Sequence, residues 1–585
     1  MFDYRRTHTC GELNSSHIDK KVVLSGWVNK RRDLGKLIFV DLRDKFGITQ
    51  ILFDTSLQNI KKAEQVGLED VISVMGRVVK RKDPNPKRKT GDIEIQVEDI
   101  KILSKAKKTP FLIFEPTEIK EDTRLKYRYL EMRRQKIIDN LHLRHKAILA
   151  IRNFLNEKKF IEIETPILSK STPEGARDYL VPSRIYPGNF YALPQSPQLF
   201  KQILMIGGLD RYFQIAKCFR DEDLRADRQP EFSQVDIEMS FLKEEDLFKI
   251  IEDLFKIVFK TCLNKEIKTP FIKMTYKESM ERYGTDKPDT RFKMEFIDLE
   301  EYIKRSNFDF FKEELKKGKK IKGFCIKGAE DISRKKIDKY KEFLTNFGIL
   351  KFGWIGERNQ NILKFFSNEL IKEMELKFKL NKQDIIIFAS QEEKMLNQGL
   401  DHLRRKIAKE RELISSIYNF LWITDFPLFS KDSKTEEIKS EHHPFTSPNL
   451  EDIDLLDKDL LKVRSLSYDL VVNGYEIASG SQRIHDSNLQ EKIFQILKLS
   501  KEDREKKFGY FLEALKYGTP PHLGIAIGLD RVIMLLAKTE DIRDVIAFPK
   551  TQKACDLMLR APSKPDKEQL DILKIKTQYK EMQWD

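Results

Sequence analysis

The chain has 585 residues, of which 40% are hydrophobic, and this length predicts roughly three or four domains instead of one core. No run approaches the ~18 apolar residues of a membrane span, and MFDYRRTHTCGELNSSH at the start lacks an apolar signal core, so we expect a cytoplasmic protein. The net charge of +15 favours a polyanionic partner, and 23 Lys+Arg against 15 Asp+Glu lie in residues 1–110. Five scattered cysteines without CxxC spacing fit a reducing compartment and argue against both disulfides and a thiolate zinc site.

Residues 22–97 are predicted to form a small closed β-barrel. Five short alternating runs are separated by Gly, Asp and Lys: VVLSGWV, KLIFVDLRD, ITQILF, DVISVMGRVV and IEIQV. Such a barrel is typical of the oligonucleotide-binding (OB) fold, in which bases stack on aromatic side chains of one sheet face. Phe39, with Arg31, Arg32 and Arg43 near it, is either a stacking platform or a residue of the barrel core.

The next part of the chain predicts an α+β domain interrupted by an insertion. After a Pro-containing hinge at 104–122, the pattern predicts a helix over roughly 124–158 and a strand at 160–168. Strands and Gly/Pro-rich turns then alternate with the amphipathic helix QLFKQILMIGG, which indicates an antiparallel α+β domain. A Lys-rich sequence with helical spacing from 293 to 418 predicts a separate inserted α+β module. The sequence contains neither GxxxxGK[ST] nor a strand-linked GxGxxG, so we expect side chains to hold any nucleotide.

The segment FRDEDLRADRQPEFSQVD, 219–236, is the most informative stretch of the chain. Guanidiniums and carboxylates alternate around a single proline, with few apolar residues to drive burial. Arginine forks bind phosphate and a carboxylate accepts from an exocyclic amine, so the pattern suits a polyanionic ligand with a basic heterocycle. The alternative is a solvated hairpin with surface ion pairs.

Two later segments also carry candidate chemistry. In EHHPFTSP (441–448), His442 and His443 suit metal ligands, a base or a mobile clamp, or are solvated; the lack of a carboxylate at zinc spacing disfavours metal. In HLGIAIGLDRVIMLL (522–536), Arg531 lies in the first turn of a predicted helix. A cation there is explained by an anion bound against the helix N-terminus, or by an ion pair with a neighbouring carboxylate.

The segment SYDLVVNGYEIASGSQRIH, 467–485, combines two kinds of site. Asp469 and Glu476 lie on a predicted strand–turn–strand, where paired carboxylates suit Mg²⁺ shared with phosphates. Arg483 follows a run of small residues that leaves room for a ligand. A guanidinium in such a pocket is suited to bind a carboxylate.

These segments resemble the class II aminoacyl-tRNA synthetases, and among them the bacterial type of aspartyl-tRNA synthetase, over nearly the whole chain. Three class signatures occur in order: Ile163-Glu164-Thr165-Pro166, Phe219-Arg220-Asp221-Glu222 and Gly528-Leu529-Asp530-Arg531. Longer matches are more specific: STPEGARDYLVPSR (171–184), QSPQLFKQ (195–202), YGTDKPDTR (283–291), HHPFTSP (442–448) and DIRDVIAFPK (541–550). The HIGH and KMSKS signatures of class I are absent from the sequence.

The resemblance implies an aspartate–tRNA ligase that uses ATP and Mg²⁺. Such a ligase attaches L-aspartate to the 3′ end of tRNA(Asp) through an aspartyl-adenylate and releases AMP and pyrophosphate. No protein nucleophile is needed, because the substrate carboxylate attacks and the protein positions the reactants. The resemblance also implies a homodimer, with the signature at 163–166 in the dimer interface.

The resemblance assigns site residues by type of ligand. The implied catalytic residues are Arg220 at the α-phosphate, Arg531 at the γ-phosphate, and Lys201. The implied aspartate-binding residues are Glu174, Ser196, Gln198, Lys201, Arg220, Asp236, His442, His443 and Arg483, with Lys201 and Arg483 on the side-chain carboxylate. The implied ATP-binding residues are Arg220, Asp221, Glu222, Gln229, Phe232, Glu476, Gly528, Leu529, Asp530 and Arg531. Asp469 and Glu476 match Mg²⁺ ligands, and Arg32, Phe39 and Gln50 match anticodon contacts. Arg225 and Arg228 have two possible binding partners, the acceptor end of the tRNA and the terminal phosphates of ATP.

The expected fold class is a multidomain α+β chain, with an OB-fold barrel and an antiparallel class II catalytic domain that contains an inserted α+β domain. The expected domains are an anticodon-binding domain at 1–108, a hinge at 109–135, catalytic parts at 136–292 and 419–560, the insertion at 293–418, and a C-terminal extension at 561–585.

Two alternative functions remain to be weighed against aspartate ligation to tRNA(Asp). One is an asparagine ligase, which Lys201 and the insertion disfavour, and the other is a synthetase-like tRNA-binding or regulatory protein without ligase activity. Against the second, every charged position that the chemistry needs is present. Leu34, where some relaxed family members carry His, favours discrimination against tRNA(Asn).

Overall fold

A computed structural model of the protein describes residues 2–54, 60–114, 118–171, 175–356, 360–432 and 435–578. The chain divides into two compact units, each built from noncontiguous segments. The first comprises Met1–His145, Asp223–Pro230 and Ala537–Asp585, and the second comprises Lys146–Glu222 and Glu231–Leu536. Within the described ranges, every helix is too short or too polar to serve as a membrane span.

The first unit contains the predicted five-stranded barrel, closed in the order β1-β2-β3-β5-β4. Its elements are β1 (Lys21–Asp33), β2 (Leu37–Arg43), β3 (Ile48–Asp54), α1 (Ile60–Glu64), β4 (Val71–Lys80) and β5 (Ile93–Ser104). All neighbours pair antiparallel except β3 and β5, which pair parallel. Alternating apolar residues such as Val22, Leu24 and Val40 fill the interior, as the period-two pattern predicts.

The single helix predicted over 124–158 is divided into α2 (Glu121–Lys126), α3 (Arg128–Glu131) and α4 (Gln135–Glu157). We attribute this division to Arg128. Its fully buried guanidinium donates to the main-chain carbonyls of Arg543, Ile546 and Ala547. These contacts hold the segment DIRDVIAFPK against the short helices of the first unit.

The second unit begins within α4 and, among the described residues, continues with nine strands and helices before the inserted segment. They are β6 (Ile161–Glu162), β7 (Leu180–Pro182), β8 (Phe190–Ala192), α5 (Gln198–Ile206), β9 (Arg211–Phe219), β10 (Glu231–Ser240), α6 (Glu244–Leu263), β11 (Ile272–Thr275) and α7 (Tyr276–Tyr283). The strand predicted at 160–168 is reduced to the two residues of β6, which pair with Tyr212 and Phe213. Pro166 lacks the N–H that a longer ladder would need.

The inserted segment forms a four-stranded antiparallel sheet in the order β12-β13-β15-β14. Its elements are β12 (Phe296–Asp298), α8 (Glu300–Arg305), α9 (Asp309–Lys316), β13 (Lys320–Ile326), α10 (Arg334–Thr345), β14 (Lys351–Ile355), α11 (Gln360–Leu363), α12 (Asn368–Lys377), β15 (Ile385–Gln391) and α13 (Glu393–Glu410). Successive residues of β13 enter two different clusters, Phe324 with α10 and α13, and Cys325 with α8, α9 and α12. Helices therefore cover both faces of this sheet.

The chain then completes an eight-stranded sheet in the order β11-β16-β19-β20-β21-β10-β9-β6. The remaining elements of the second unit are β16 (Phe420–Thr424), β17 (Phe429–Lys431), β18 (Ile438–Ser440), β19 (Ser467–Val472), β20 (Tyr475–Gln482), α14 (Ser487–Ile496), α15 (Lys501–Ala514), β21 (His522–Gly528) and α16 (Leu529–Ala537). The last helix, α17 (Lys567–Leu573), belongs to the first unit. Among the described strands of the eight-stranded sheet, only β11–β16 and β6–β9 pair in parallel.

The two faces of the eight-stranded sheet differ in polarity. On one face α6 packs its apolar side, and Phe248 stacks on Trp422 with 4.0 Å between ring centroids. The other face carries Asp236 and Glu238 opposite the small residues Ala526 and Gly524. A Cβ at Gly524 would lie 1.7 Å from Glu238 Oε2, so only glycine fits there. The second face is therefore a polar surface with room above its small residues.

Candidate active site

Strand register gathers the candidate residues into two neighbouring rows on the polar face. Asp469 pairs with Ser479, Ser479 with Ala526, and Ala526 with Asp236. The adjacent row runs from Ser481 through Gly524 to Glu238. Directly opposed residues of paired strands point to the same face, so charges that are far apart in the sequence meet on one surface.

Two cations and two carboxylates form a buried network on this surface. Lys201 Nζ, from α5, donates to Asp236 Oδ1 at 3.0 Å and lies 3.5 Å from Glu238 Oε2. Arg483 donates to both oxygens of Glu238, from Nε at 2.8 Å and from Nη2 at 3.1 Å. None of the four side chains is more than 2% exposed. The structure thus brings together the two residues predicted to bind the aspartate side chain.

The two carboxylates of this network have different protonation tendencies. Burial raises the pKa of Asp236, although Lys201 opposes the shift. Burial also acts on Glu238, but Arg483 and Lys201 outweigh it and lower the pKa of that carboxyl. Within the described part of the chain, Asp236 Oδ2 has no hydrogen-bond partner. A buried acceptor without a partner is suited to a donor group of a ligand.

The histidine pair lies beside Arg483. Arg483 Nη1 donates to His443 Nε2 at 2.7 Å, and Gln198 Nε2 lies 3.3 Å from the same atom. Because arginine has only donors, His443 Nε2 must accept. Burial, the adjacent His442 and the charge of Arg483 hold the pKa of His443 well below its ordinary value. His442 is exposed, and its Nε2 lies 3.0 Å from Ser479 Oγ.

A second group of charges surrounds Glu476. Lys287 Nζ donates to Glu476 Oε2 at 2.6 Å, and Arg531 Nη1 donates to the Glu476 carbonyl at 2.9 Å. Burial raises the pKa of Glu476, but Lys287 and Arg531 reverse the shift and lower it. Burial and the neighbouring Glu476 raise the pKa of Asp469 well above its ordinary value.

Asp469 and Glu476 fit a divalent cation that is bound jointly by protein and phosphates. Mg²⁺ is commonly held by one or two carboxylates together with substrate phosphates. Residues of the described ranges form no group of three or more His, Cys, Asp or Glu able to hold a metal. The protein would supply only part of the coordination shell. The raised pKa of Asp469 comes first from burial and then from the neighbouring Glu476, whose repulsion a cation would relieve.

Arg220 and Phe232 form a third group. The Arg220 guanidinium carbon lies 5.2 Å from the centroid of the Phe232 ring, and Arg220 Nε donates to the Gln195 carbonyl at 3.4 Å. The charge of Arg220 also acts on Asp236, where it opposes the rise in pKa caused by burial, so this group lies near the buried network. Asp221 is paired with Arg177 at 3.3 Å.

The other predicted site residues are placed as follows. Ser196 is half-buried just before α5, and Glu222 is half-buried after β9. Leu529 is fully buried at the start of α16, following Gly528, and Asp530 Oδ2 accepts from the Ser233 amide at 2.7 Å. Gln229 lies in the first unit, where it exchanges two hydrogen bonds with the main chain of Lys550. Glu174 lies outside the described residues. The ligand-binding roles of all these residues stay predictions.

Two residues of these networks, Glu238 and Lys287, are not among the sequence-predicted site residues. Glu238 had a signal, because it lies two residues after Asp236 in a strand and therefore on the same face. Lys287 lies in the segment YGTDKPDTR. Within that segment the structure pairs it with Asp286 alone, at 3.7 Å. Its partner Glu476 is distant in sequence, so only the fold could reveal the pair.

The barrel brings its three predicted anticodon residues together. Arg32 Nη2 donates to Gln50 Oε1 at 2.8 Å, and the Arg32 guanidinium carbon lies 5.8 Å from the centroid of the Phe39 ring. Gln50 in turn donates to Glu94 Oε2 at 2.6 Å. Phe39 is half-buried and is not part of the barrel core cluster formed by the described residues, which favours the platform over the core interpretation.

Family models match both parts of this architecture. Residues 22–103 match the OB-fold nucleic acid binding domain, and residues 120–552 match the tRNA synthetases class II (D, K and N). Fold and site thus define a class II synthetase. The chain belongs to the D, K and N family of class II tRNA synthetases, which use ATP as a substrate.

Two relatives that match along nearly their whole length are similar to this chain at the level of the individual enzyme. The aspartate–tRNA(Asp/Asn) ligases of Protochlamydia amoebophila and Chlamydia muridarum are each 55% identical to this chain. The matches cover 100% and 98% of this chain and 99% of each relative.

Solved structures agree with the fold. Asparaginyl-tRNA synthetase from Pyrococcus horikoshii, complexed with asparaginyl-adenylate, matches with a TM-score of 0.59 at 19% identity, covering 93% of this chain and 98% of that one. Aspartyl tRNA synthetase from Entamoeba histolytica matches with a TM-score of 0.56 at 21% identity, covering 92% and 89%. At this identity the likeness shows the fold alone, and it confirms the expected fold class.

Proposed function

We propose that the chain is an ATP-dependent aspartate–tRNA ligase that acts through an aspartyl-adenylate and releases AMP and pyrophosphate. The observation that carries this proposal is the buried network of Lys201, Asp236, Glu238 and Arg483. Buried cations that converge beside small residues suit a small ligand with a carboxylate. The names of the two relatives at 55% identity support the same substrate.

Each charged group has one task in the proposed first step. Lys201 and Arg483 bind the side-chain carboxylate of aspartate, and the unpartnered oxygen of Asp236 accepts from its ammonium group. The α-carboxylate attacks the α-phosphorus of ATP, so a new C–O–P bond forms as the bond to pyrophosphate breaks. Arg220 and Arg531 stabilise the negative charge on the phosphates.

Binding of ATP involves one further aromatic and one metal site. Phe232, beneath the Arg220 guanidinium, stacks on adenine in this proposal. Asp469 and Glu476 would hold Mg²⁺, which when bound neutralises charge on the phosphates. The neutral His443 keeps Arg483 in place without adding a positive charge next to it.

The same network explains a preference for aspartate over asparagine. An amide in place of the carboxylate would bring no negative charge and would place N–H donors against Lys201 and Arg483, which can only donate, and such buried polar mismatches discriminate by about 10⁴-fold.

Amino-acid-dependent exchange of pyrophosphate into ATP tests this proposal. We expect exchange with aspartate, none above background with asparagine, and its loss in Lys201→Ala and in Arg531→Ala. Lys217→Ala is the matched control, because Lys217 is half exposed and forms a surface ion pair with Glu231 at 3.6 Å. Survival of aspartate-dependent exchange in both active-site variants would show that the site is misassigned.

We extend the proposal to both tRNA(Asp) and tRNA(Asn) as acceptors. The relatives, which match along the full chain, are named for both tRNAs, whereas the expectation of strict discrimination rests on the single exposed residue Leu34. Aspartylation of the two transcripts decides between them: comparable charging supports the extended proposal, and charging of tRNA(Asp) alone supports the Leu34 expectation.

The proposal includes a cytoplasmic homodimer. Exposed apolar side chains flank the 163–166 signature, among them Ile161, Ile167 and Leu168, and exposed apolar patches mark interaction surfaces. Light scattering after size exclusion is expected to give twice the chain mass of 69.1 kDa. A mass of one chain at micromolar concentration would exclude this part of the proposal.

A further inference from the structure

An arginine of the inserted segment reaches two loops of the eight-stranded-sheet part of the second unit. Arg405, on α13, donates from Nη2 to the carbonyl of Lys287 at 2.7 Å and from Nη1 to the carbonyl of Gly474 at 3.4 Å. The first loop follows α7, and the second is the turn between β19 and β20. One guanidinium therefore ties two catalytic loops to one helix of the insertion.

The two loops adjoin the ion pair between Lys287 and Glu476, and Glu476 is one of the two proposed cation-binding carboxylates. Lys287 Nζ donates to Glu476 Oε2 at 2.6 Å, and Glu476 lies two residues after Gly474. Arg405 thus fixes the backbone of Lys287 and the turn that precedes Glu476. Because Lys287 binds Oε2 of Glu476, the other oxygen, Oε1, faces Arg531 and lies 4.0 Å from Arg531 Nη1.

The turn is shaped to admit this arginine. Gly474 has a φ of +86°, which residues with a Cβ rarely adopt. A Cβ at this position would lie 2.7 Å from Arg405 Nη1 and 3.2 Å from Asp289 Cβ. The neighbouring Arg404 is fully buried and donates to the Asp289 carbonyl at 3.1 Å, so consecutive arginines of α13 hold the loop from 287 to 289.

We propose that Arg405 is a positioning residue of the reaction, and that through Lys287 it holds the Glu476 carboxylate in the orientation that binds the cation and ATP. The inference rests on the proposed function of the site. It also gives the inserted module a task, because its helix α13 sets the geometry of two catalytic loops. Partners that orient metal-binding side chains typically contribute about 10–100-fold to metal affinity or activity.

Kinetics of pyrophosphate exchange on the full chain provide the first test. We expect Arg405→Ala to raise the Mg²⁺ concentration at half-maximal rate and the KM for ATP by about tenfold, with the KM for aspartate unchanged. A merely structural defect would lower the active fraction and leave every KM in place. Lys406→Ala is the matched control, because Lys406 is a neighbour on α13 whose ammonium pairs with Glu410 and lies over the Phe343 ring, both within the insertion. Identical ATP and Mg²⁺ dependence in Arg405→Ala and the control would overturn the inference.

Hydrogen exchange of the ligand-free protein provides a readout apart from activity. In Arg405→Ala the amides of residues 285–290 and 472–476 are expected to exchange faster than in the control. Should Arg405→Ala not fold, Arg405→Lys takes its place, since one ammonium can hold the two carbonyls only partly. Unchanged protection of both segments in a folded Arg405 variant would contradict the proposal.

A double-mutant cycle with Lys287→Met tests whether Arg405 acts through Lys287. If it does, the double variant has the ATP and Mg²⁺ dependence of Lys287→Met alone, because coupled residues are not additive. Additive effects would show that Arg405 acts by another route and would overturn the inference. Absence of aspartate-dependent exchange in the wild type would instead contradict the proposed function, so the two failures are distinguishable.

Discussion

At the scale of single residues, Glu238 balances the charges of the proposed aspartate pocket. It accepts from Arg483 through both oxygens and lies 3.5 Å from Lys201. A buried cation is costly unless a carboxylate compensates it. Glu238 thus places a negative charge beside both cations, while Oδ2 of Asp236 has no hydrogen-bond partner among the described residues.

Removing the charge of Glu238 is expected to destabilise the protein. In Glu238→Gln the shape remains but Arg483 loses its buried counter-ion, and the free energy of unfolding is expected to fall by about 3 kcal/mol. Urea unfolding measures the change. Glu231→Gln is the control on the same strand, since its pair with Lys217 is half exposed and is expected to contribute under about 1 kcal/mol. Equal effects of both substitutions would refute the proposed balance.

His443 is expected to make stability depend on pH. Burial, His442 and Arg483 keep its folded-state pKa well below the ordinary value of 6.5. Below pH 6.5 the unfolded chain therefore binds a proton that the folded protein does not, so stability falls as pH decreases, by up to about 1.4 kcal/mol per pH unit. In His443→Gln we expect a shallower slope of unfolding free energy below pH 6.5 and parallel curves above it. Identical slopes throughout would contradict the assignment.

At the scale of elements, the histidine loop is anchored by an aromatic cluster. Phe445 is buried against Phe494, Phe508 and Phe511 of α14 and α15, with ring centroids 5.0 to 6.1 Å away. Gln490 Nε2, also from α14, donates to the Pro444 carbonyl at 2.9 Å. The two helices therefore set the position of the loop whose His443 contacts Arg483.

Weakening this anchor is expected to affect both stability and aspartate binding. Phe445→Ala opens a cavity and is expected to cost about 3–5 kcal/mol, and the KM for aspartate is expected to rise because His443 loses its fixed position. Phe445→Leu keeps much of the apolar volume and is expected to restore most of both properties. Unfolding and pyrophosphate exchange measure them; a normal KM in a folded Phe445→Ala protein would exclude a role of the anchor in binding.

At the scale of the whole molecule, the net charge of +15 matches a partner as anionic as tRNA. The OB-fold domain is a nucleic-acid-binding type, and it carries Arg32, Phe39 and Gln50, the residues predicted to contact the anticodon. Cations that neutralise phosphates release counter-ions, so affinity for a nucleic acid falls with salt. Binding of a small substrate in the proposed buried site is expected to depend much less on salt, because buried charges are screened less than exposed ones.

Salt is therefore expected to separate the two steps of the reaction. Between about 50 and about 200 mM KCl, the KM for tRNA is expected to rise at least about tenfold, whereas the KM for aspartate in pyrophosphate exchange without tRNA changes far less. Phe39→Ala is expected to raise the KM for tRNA at either salt concentration while leaving the salt dependence intact, because stacking carries no charge. A salt-independent KM for tRNA would contradict an electrostatic contribution.

The sequence predicts local features whose cause is local. Alternating apolar residues predict the five barrel strands, and the helix α5 follows from its amphipathic spacing. The confirmed family assignment rests on contiguous matches. Around Arg128 the sequence pattern predicts one long helix, whereas the structure has several short ones. The pattern could not show this, because the carbonyls that Arg128 binds are more than 400 residues away in sequence.

What the sequence by itself determined is the family, the fold class and the types of charge at the site. Only the tertiary structure decided which charges meet. Lys201 and Glu238 lie on different elements, and Lys287 and Glu476 lie on either side of the inserted segment. Such pairs depend on strand register and packing, which join residues at any separation along the chain. A charged residue in a sequence therefore states what it can bind, and the fold selects its partner.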